Sequence, residues 1–407
     1  MKPLAGVRVI EVAAWTLVPS AGAVLAEWGA DVIKIEHPVG GDAQRGLIAA
    51  GIIPGGSGAV NYIMEQPNHG KRSLGLDIGN EDGRDLLLRL CESADVYLTN
   101  WLPHARRKLR LDVEDIRAAN PRIIYARGSG LGQRGPDAER GGFDGTAMWA
   151  RAGMVDALTQ GEHASPYGPR QTPALGDMPG GQIIAGAIAA ALFQRERTGE
   201  PAVIDVSLFA LGMWMMAPLI VAAKLYGTDR MPYYTRDDAP NPIANQYLTS
   251  DGRVIHLAMM QYDRYFREFF AAIGRPELAD DERFASSAAA NENRRELIRM
   301  LDELFATRTF AEWRTALAPI EGIWEPAQSV GEVNDDEQAI ANGYFAEAQG
   351  PDGTPFTLVA NPAQFNETPI GTVQAAPEHG QHTEEILLEL GLDWDEITKH
   401  KETGAIL

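Results

Sequence analysis

Residues 7–36 read VRVIEVAAWTLVPSAGAVLAEWGADVIKIE, and this stretch decides the fold. Residues 7–12 alternate as a β-strand does, and residues 31–36 have the pattern of a second strand. Between them, apolar residues recur at the spacing of one helix face: Ala21, Val24, Leu25 and Trp28. A strand, a helix and a strand form a βαβ unit, which predicts a parallel sheet with a right-handed crossover.

The same kind of pattern continues beyond this unit. Further helix and strand patterns follow at 81–92, 96–98, 123–126, 181–195 and 203–206. A turn-rich segment, residues 229–242, with two prolines among its last five residues, then separates a region of different character. That region contains a predicted hairpin and two helices, at 246–259, 262–273 and 293–306. The chain is therefore predicted to have an α/β fold with a small α+β region in its second half.

Composition restricts the partners and the compartment. The 407 residues include 36 Lys and Arg against 56 Asp and Glu, a formal net charge of −20. Such a charge argues against nucleic acid or an anionic membrane as a partner. Cys91 is the single cysteine, which predicts a cytoplasmic protein without an internal disulfide. In the apolar stretch 206–223 we expect a buried helix or a subunit contact rather than a membrane span.

Nucleotide and metal motifs are incomplete in this sequence. Residues 128–132 read GSGLG after a strand, but Gln133 stands where the dinucleotide motif G-x-G-x-x-G needs its third glycine. His379 and His382 lie three residues apart beside Gly380, a pattern typical of a solvated loop. We therefore predict neither an NAD site nor a metal site.

A basic cluster follows the strand at 96–98. Its five residues, within a segment of seven, are His104, Arg106, Arg107, Lys108 and Arg110. Guanidinium groups match phosphate oxygens, so the cluster is a candidate phosphate clamp, with Trp101 as a stacking surface for a ring. A solvated helix face is the alternative interpretation of each of these residues.

Two carboxylates lie in glycine-rich segments. Asp177 stands in LGDMPGG, residues 175–181, directly before a helix pattern, where glycines allow a substrate to approach the backbone. The free N–H groups and the dipole of a helix start should keep Asp177 ionised and stabilise a developing oxyanion. A plain helix N-cap is the alternative. Asp144, in GGFDG at 141–145, indicates by itself only a turn.

The order and spacing of several segments resemble a known family. They are LAGVRVIE (4–11), LAEWGADVIKIEHP (25–38), GKRSL (70–74), ADV (94–96) with Asn100, NPRIIY (120–125), GQRGP (132–136), LGD (175–177) and RERTG (195–199). Together they resemble a class III CoA-transferase, the group that includes formyl-CoA transferase, carnitine CoA-transferase and α-methylacyl-CoA racemase.

This resemblance implies an architecture. Family members have a Rossmann-like large domain built from both chain ends, an inserted small α+β domain and an interlocked homodimer. On this basis we expect the N-terminal part of the large domain at 1–208, a linker at 209–240, the small domain at 241–325, and a linker with the C-terminal return at 326–407.

The resemblance also implies roles for individual residues. Asp177 matches the nucleophile, which forms an aspartyl anhydride and then an aspartyl-CoA thioester. CoA and acyl-CoA would be substrates, with a carboxylic acid as co-substrate and no permanently bound cofactor. The positions that match CoA contacts are Thr16, Leu17, His37, Leu76, Gly79, Asn100, Trp101, Leu102, Ala105, Lys108 and Leu109. Arg106 and Arg107 are added from charge alone, and Phe143 and Asp144 as the acyl-side loop.

Two alternatives remain open at this point. A racemase or epimerase of this family needs a histidine directly before the loop aspartate, where this chain has Phe143, and a phenyl ring transfers no proton. The second alternative is a non-catalytic acyl-CoA-binding protein. His37 stands where a cation is common in the family, and Thr16 where some transferases use glutamine.

Overall fold

The computed structural model describes residues 2–55, 60–159, 168–232 and 234–407. At its centre is a six-stranded parallel sheet. The strands are β1 (Arg8–Val12), β2 (Asp31–Glu36), β3 (Arg72–Gly75), β4 (Val96–Thr99), β5 (Ile124–Ser129) and β6 (Val203–Ser207). Their spatial order is β3-β2-β1-β4-β5-β6, so the order reverses between β1 and β4. Sheets of this kind bind ligands in the crevice that opens there, at the carboxyl ends of the strands.

Helices accompany the sheet along the chain. They are α1 (Leu17–Glu27), α2 (Tyr62–Asn68), α3 (Glu81–Glu92), α4 (Pro103–Leu109), α5 (Val113–Ala119), α6 (Met154–Leu158), α7 (Asp177–Thr198), α8 (Leu208–Met215) and α9 (Ala217–Tyr226). α1 and α7 share one buried apolar cluster with Val9 of β1, which includes Val18 and Ile184. Ile10, the next residue of β1, belongs to a second cluster with Leu87 of α3. Alternate residues of the strand thus face two helical layers.

The contact between α1 and α7 is unusually close. A Cβ on Gly181 of α7 would lie only 2.4 Å from Cβ of Ser20 on α1. Because real Cβ atoms do not approach that closely, glycine is needed at this position for the two helices to touch. The first turns of α1 and α7 are therefore fixed against each other.

The chain divides into two compact units. Of the described residues, the first unit contains 2–158, 168–227 and 337–407, and the second contains 159, 228–232 and 234–336. The C-terminal part of the first unit forms α15 (Glu337–Ala341), β10 (Phe345–Gln349), β11 (Pro355–Val359), α16 (Thr383–Glu389) and α17 (Trp394–Glu402).

The second unit has its own sheet and core. Its strands β7 (Gln246–Leu248), β8 (Val254–Leu257) and β9 (Trp324–Pro326) form an antiparallel sheet. Its helices are α10 (Tyr262–Ala272), α11 (Ser287–Glu292), α12 (Arg294–Phe305), α13 (Phe310–Leu317) and α14 (Val330–Val333). Fully buried aromatic rings, among them Phe269, Phe305 and Trp313, fill its core.

The sequence predictions of these elements are largely confirmed. The parallel sheet, the predicted strands and the hairpin of β7 and β8 are present. α7 begins at Asp177, four residues before its predicted start at residue 181. The segment 209–240, predicted as a linker, begins with most of α8 and all of α9, and both helices belong to the first unit. The domain limits and the interlocked dimer remain predictions.

The apolar stretch of α8 and α9 bears on the question of a membrane span. In the described ranges, no single helix is long and apolar enough to cross a membrane. α8 and α9 reach that length and composition only as a pair, and they are bent by 70° relative to each other.

Candidate active site

Segments that follow five parallel strands meet at one edge of the sheet. β1 leads into residues 13–16, β2 into His37, β3 into residues 76–79 and β4 into residues 100–102. β5 leads into the long connection that ends at α7. Because the strands are parallel, their carboxyl ends lie at the same edge. All predicted site residues lie on the segments that leave this edge.

Asn100 connects the end of β4 to the segment after β1. Its side-chain Oδ1 accepts a hydrogen bond from the Ala14 N–H at 3.2 Å, and its Nδ2 donates to the Ala14 carbonyl oxygen at 2.6 Å. Thr16 Oγ1 donates to Gln44 Oε1 at 2.8 Å, and Leu17 begins α1. Asn100, Thr16 and Leu17 therefore belong to one group at the point where the strand order reverses.

Trp15 adopts a backbone conformation that is rare for a bulky residue, with a φ of 69°. Its N–H donates to Asp42 Oδ1 at 3.1 Å, and Asp42 Oδ2 accepts a hydrogen bond from Lys34 Nζ at 2.8 Å. Asp42 and Lys34 are both buried. The Trp15 indole meets the Phe143 ring edge to face, with the ring centroids 5.4 Å apart. The sequence analysis missed Asp42, because a single aspartate in a turn forms no motif.

Asp177 is the first residue of α7, and its half-buried side chain lies beside the loop that carries Asp144. Gly176, not Asp177, is the N-cap of the helix, so the interpretation of Asp177 as a plain cap is wrong. Ser20 Oγ donates to the Thr16 carbonyl oxygen at 2.7 Å. Since Gly181 of α7 touches Ser20, the helix start and the Thr16 segment have fixed positions relative to each other.

Asp144 lies next to Asp177 and begins a π-helical segment, Asp144–Ala150. Such segments are rare and occur frequently at functional sites. The Gly176 N–H donates to Asp144 Oδ2 at 3.0 Å, whereas the buried Oδ1 has no hydrogen-bond partner within the described ranges. A Cβ on Gly176 would lie 2.6 Å from that Oδ1 and 2.1 Å from Met148 Sδ. Glycine at position 176 thus permits the two carboxyl groups to lie close together.

Burial, and secondly the Asp144 carboxyl, raise the pKa of Asp177 to about 7. Burial also raises the pKa of Asp144, against the effect of the hydrogen bond from Gly176. The expectation that the helix start keeps Asp177 ionised is therefore wrong, because a low-dielectric environment and a like charge both disfavour the carboxylate. The protonated form of Asp177 therefore persists to much higher pH than that of an exposed aspartate.

The basic cluster divides into buried and exposed members. Arg106 is 3% exposed, and its guanidinium donates to Asp112 Oδ1 at 2.8 Å, to the Trp101 carbonyl oxygen at 2.7 Å and to Gln133 Oε1 at 3.1 Å. Its role as a phosphate clamp is a wrong prediction, because these contacts use the guanidinium inside the fold. Arg107 is exposed and paired with Glu139 at 2.8 Å.

The rest of the predicted CoA contacts after β4 remain near the surface. Lys108 is exposed, and Trp101 is 38% exposed. Leu102 is the N-cap of α4. Leu102, Ala105 and Leu109 are half-buried. Of the predicted CoA contacts on this segment, Lys108 and the Trp101 indole thus reach the solvent.

A second group of predicted contacts follows β2 and β3. His37 is exposed, and its Nε2 lies 3.9 Å from Asp77 Oδ1, which also accepts a hydrogen bond from the Gly79 N–H at 2.9 Å. The Leu76 side chain is buried in the core. Residues 405–407 pack under this group: the Asp77 N–H donates to the Ala405 carbonyl oxygen at 2.8 Å, and Leu407 bonds back to β3.

His379 and His382 are half-buried, so the predicted solvated loop is wrong. His379 Nε2 lies 3.0 Å from the His37 carbonyl oxygen, and His382 Nδ1 accepts a hydrogen bond from the Ser73 N–H at 3.2 Å. Within the part of the chain that the structure describes, no group of three or more His, Cys, Asp and Glu side chains is arranged to hold a metal ion.

The profile of CoA-transferase family III matches residues 4–383. The chain belongs to this family. A cinnamoyl-CoA:phenyllactate CoA-transferase of Clostridium sporogenes is 31% identical over 403 residues, which cover 99% of this chain and 97% of that protein. An (R)-2-hydroxy-4-methylpentanoate CoA-transferase of Clostridioides difficile is 30% identical over 404 residues, which cover 99% of each chain.

Solved structures agree with this assignment. A CaiB/BaiF family protein from Brucella suis has a TM-score of 0.78 at 30% sequence identity, with 96% of this chain and 99% of that chain covered. The family profile, the relatives and the solved structure thus all identify the chain, over nearly its whole length, as a class III CoA-transferase.

Proposed function

We propose that this class III CoA-transferase moves CoA from an acyl-CoA thioester to a free carboxylic acid, with Asp177 as the nucleophile. The observation that carries the proposal is the position of Asp177: half-buried, at the first turn of α7, beside the edge where the strand order reverses. The raised pKa makes its carboxylate more basic than an exposed aspartate and thus a better nucleophile toward a thioester.

The first half-reaction loads CoA onto the enzyme. An oxygen of the Asp177 carboxylate attacks the thioester carbonyl carbon, the C–S bond breaks, and CoA leaves as the thiolate. The product is a mixed anhydride of Asp177 and the acyl group. The thiolate then attacks Cγ of Asp177, the C–O bond of the anhydride breaks, and the first acid leaves as a carboxylate. The free N–H groups at the start of α7 stabilise the oxyanions that develop in these steps.

The second half-reaction repeats these steps with another acid. The incoming carboxylate attacks Cγ of the Asp177–CoA thioester, the C–S bond breaks, and a new anhydride forms with release of the thiolate. The thiolate attacks the acyl carbon of the incoming acid, which restores the Asp177 carboxylate and gives the new acyl-CoA. No net proton is taken up, and one thioester replaces another, so the cycle needs no ATP and no bound cofactor.

We propose that CoA lies along the carboxyl edge of the sheet. The proposed contacts are Thr16, Leu17, His37, Leu76, Gly79, Asn100, Trp101, Leu102, Ala105, Lys108 and Leu109. Phe143 and Asp144 line the acyl side. Arg106 is excluded because its donors are used inside the fold. Arg107 reaches a phosphate only if it leaves Glu139.

The finer organisation is also part of the proposal: an interlocked homodimer with an inserted small domain, in the cytoplasm. The exposed apolar side chains of α8 and α9 support a subunit contact, since Trp214, Leu225 and Tyr226 are each at least 75% exposed in the single chain. Buried, unpaired Cys91 is in keeping with a reducing compartment.

Replacement of the nucleophile tests the reaction. Asp177→Ala and Asp177→Asn should each lower kcat by at least about 10³-fold with an unchanged circular dichroism spectrum. Asp395→Asn, at an exposed acid on α17, is the matched control and should keep the wild-type kcat. Hydroxylamine added during turnover should leave a hydroxamate on Asp177 that mass spectrometry of the peptide detects. Turnover that persists in Asp177→Ala contradicts the proposal.

Isotope exchange tests the racemase alternative. Racemisation needs a proton donor or acceptor on each face of the α-carbon, and Phe143 supplies none. A 2-methylacyl-CoA incubated with the enzyme in deuterated water should therefore gain no deuterium at the α-carbon. Deuterium at that carbon would establish proton abstraction, and tight CoA binding without transfer to any acid would establish a binding protein.

A further inference from the structure

We propose that Trp15 and Phe143, here called the aromatic rim, select acyl groups with an aryl or branched apolar side chain. This inference rests on the CoA-transfer reaction proposed above and names the substrate class of the same site. Relatives do not decide the class, since they include enzymes named for cinnamoyl-CoA and phenyllactate and, at 32% identity, for succinate and glutarate. The choice must therefore come from side chains of this chain.

The aromatic rim is open to solvent. Trp15 is 36% exposed and Phe143 is 60% exposed, although the two rings touch edge to face with centroids 5.4 Å apart. Aromatic rings favour edge-to-face and offset arrangements at such distances, so a further ring or a branched alkyl group can pack against the exposed surface. The exposed parts of the two rings form an apolar surface on the single chain.

The fold holds Trp15 in this place against its backbone preference. Its φ of 69° lies in the left-handed region, which is unfavourable for a bulky side chain. The Asp42 carboxylate holds the Trp15 N–H, and buried Lys34 holds Asp42. Residues kept in such conformations cluster at ligand sites, because the surrounding structure has to compensate for them.

The segments that carry both rings contact the start of α7. Phe143 directly precedes Asp144, whose carboxylate accepts the hydrogen bond from Gly176, the residue before Asp177. Trp15 lies two residues before Leu17, and a Cβ on Gly180 of α7 would be 2.5 Å from Leu17 Cδ1. The two segments that carry the aromatic rim therefore contact α7 within one turn of Asp177.

The charges near the aromatic rim disfavour a second carboxylate on the substrate. Asp144 and Asp177 already place two acids there. The cations of segment 137–151 are Arg140 and Arg151, and both are paired with Asp137, at 2.8 Å and 2.6 Å. A dicarboxylic acyl group would bring a negative charge toward two carboxyl groups, whereas an aryl or branched alkyl group meets two rings.

Formation of the enzyme–CoA thioester, followed by intact-protein mass spectrometry, tests this inference without a co-substrate acid. Four acyl-CoAs serve as probes: 3-phenylpropanoyl-CoA, 4-methylpentanoyl-CoA, acetyl-CoA and succinyl-CoA. In the wild type the first two should react at least about 10-fold faster than the last two, the order of discrimination that apolar pockets achieve. Faster reaction of acetyl-CoA or succinyl-CoA in the wild type would overturn the inference.

Variants of the rim separate selectivity from chemistry. Phe143→Ala and Trp15→Gly should slow 3-phenylpropanoyl-CoA by at least about 10-fold and acetyl-CoA by less than about 3-fold. Glycine suits the left-handed backbone at position 15, so Trp15→Gly keeps the fold. Phe143→Leu should retain a preference for the branched chain, and Trp394→Ala, at an exposed tryptophan on α17, is the matched control.

Two further results have distinct meanings. Equal slowing of all four acyl-CoAs in the rim variants would overturn the selectivity and leave CoA transfer intact. Absence of a thioester with every acyl-CoA in the wild type would contradict the proposed reaction itself, and the role of the rim with it.

Discussion

Two groups of buried acids in the first unit differ in what surrounds them. Under α1, Glu11 accepts hydrogen bonds from Lys71 Nζ at 2.7 Å and 2.9 Å and from Lys34 Nζ at 3.3 Å, and Lys34 also contacts Asp42. We call these four side chains the paired cluster. At the start of α7, burial and the adjacent Asp144 carboxyl, rather than a neighbouring cation, dominate the environment of Asp177. The difference separates acids that hold the fold from acids available for chemistry.

The pKa values of the two groups reflect this difference. Burial alone would lower the pKa of Lys34, but Asp42 and Glu11 hold it above its ordinary value. Burial lowers the pKa of Lys71 to about 8, against the attraction of Glu11. Glu36, a buried acid next to the paired cluster in the sequence of β2, is a further example. Burial alone would raise its pKa, yet the Arg45 guanidinium brings its pKa to about 2. The pKa of Asp177 is about 7, because no cation among the described residues offsets the effects of burial and of the Asp144 carboxyl.

The largest expected effects separate stability from activity. Glu11→Gln should lower the free energy of unfolding by about 3–5 kcal/mol, because it leaves buried Lys71 without a carboxylate and Lys34 with Asp42 alone. Asp177→Asn should not lower the free energy of unfolding, but it should abolish turnover. Above pH 7 this variant should be more stable than the wild type, because the raised pKa means that ionised Asp177 destabilises the folded state. Urea denaturation and kcat, measured on the same samples, check both.

The size of this stability difference depends on pH. The folded-state pKa is raised above the ordinary value, so the gain of Asp177→Asn should fade as the pH falls toward about 4. Similar losses of stability in Glu11→Gln and Asp177→Asn would show that the two groups of acids are equivalent.

Activity should follow the ionisation of Asp177. With a pKa of about 7, kcat/KM should rise about 30-fold between pH 5.5 and pH 8 as the carboxylate forms. Asp144→Asn should move this rise to lower pH, since it removes the negative charge beside Asp177 and leaves the burial of Asp177 unchanged. Initial rates at saturating acid co-substrate check the profile. A flat profile would contradict the role of an ionised Asp177.

Arg106 and Lys108 of the basic cluster differ in a similar way, since Arg106 is buried and paired and Lys108 is exposed, and we expect smaller effects from their replacement. Lys108→Ala should raise the KM for acyl-CoA about 5- to 10-fold at constant kcat, the loss of one charge-assisted contact of about 1–1.5 kcal/mol. Arg106→Met should leave KM unchanged and lower the free energy of unfolding by about 2–4 kcal/mol, because Asp112 loses its partner. A raised KM in Arg106→Met together with an unchanged KM in Lys108→Ala would show that Arg106 belongs to the CoA site.

The smallest effects concern two glycines of α7. Gly181→Ala should lower the free energy of unfolding by about 1–3 kcal/mol, because its Cβ would meet the Ser20 side chain and the backbone of α1. Gly186→Ala is the matched control, since nothing lies within 4 Å of its Cβ, and it should stabilise the helix by up to about 1 kcal/mol. Equal effects would show that the close contact does not fix the site.

Much of the fold is predictable from the sequence, because its strands and helices repeat their periodicity over several residues. The sequence analysis did not predict β3, a strand of four residues, or α17. Asp177 and Asp144 stood out because glycines surround them in the sequence. The sequence does not show which acids have a cation as a partner. Asp42, for example, meets Trp15 and Lys34 only through tertiary packing.

The basic cluster shows the same limit from the other side. Arg106 and Lys108 are two residues apart on a seven-residue helix, and composition alone treats them alike. The structure gives them opposite environments, because a helix turns its side chains by about 100° per residue and only one of the two faces Asp112 and the end of β4.

Residues 405–407 have a practical importance beyond their place in the fold. Leu407 fills the space beside two glycines: a Cβ on Gly75 would lie 2.6 Å from its Cβ, and one on Gly380 would lie 2.3 Å from its Cδ2. Leu407→Ala would therefore loosen β3 and the His37 side of the edge before it loosened the contact between α1 and α7.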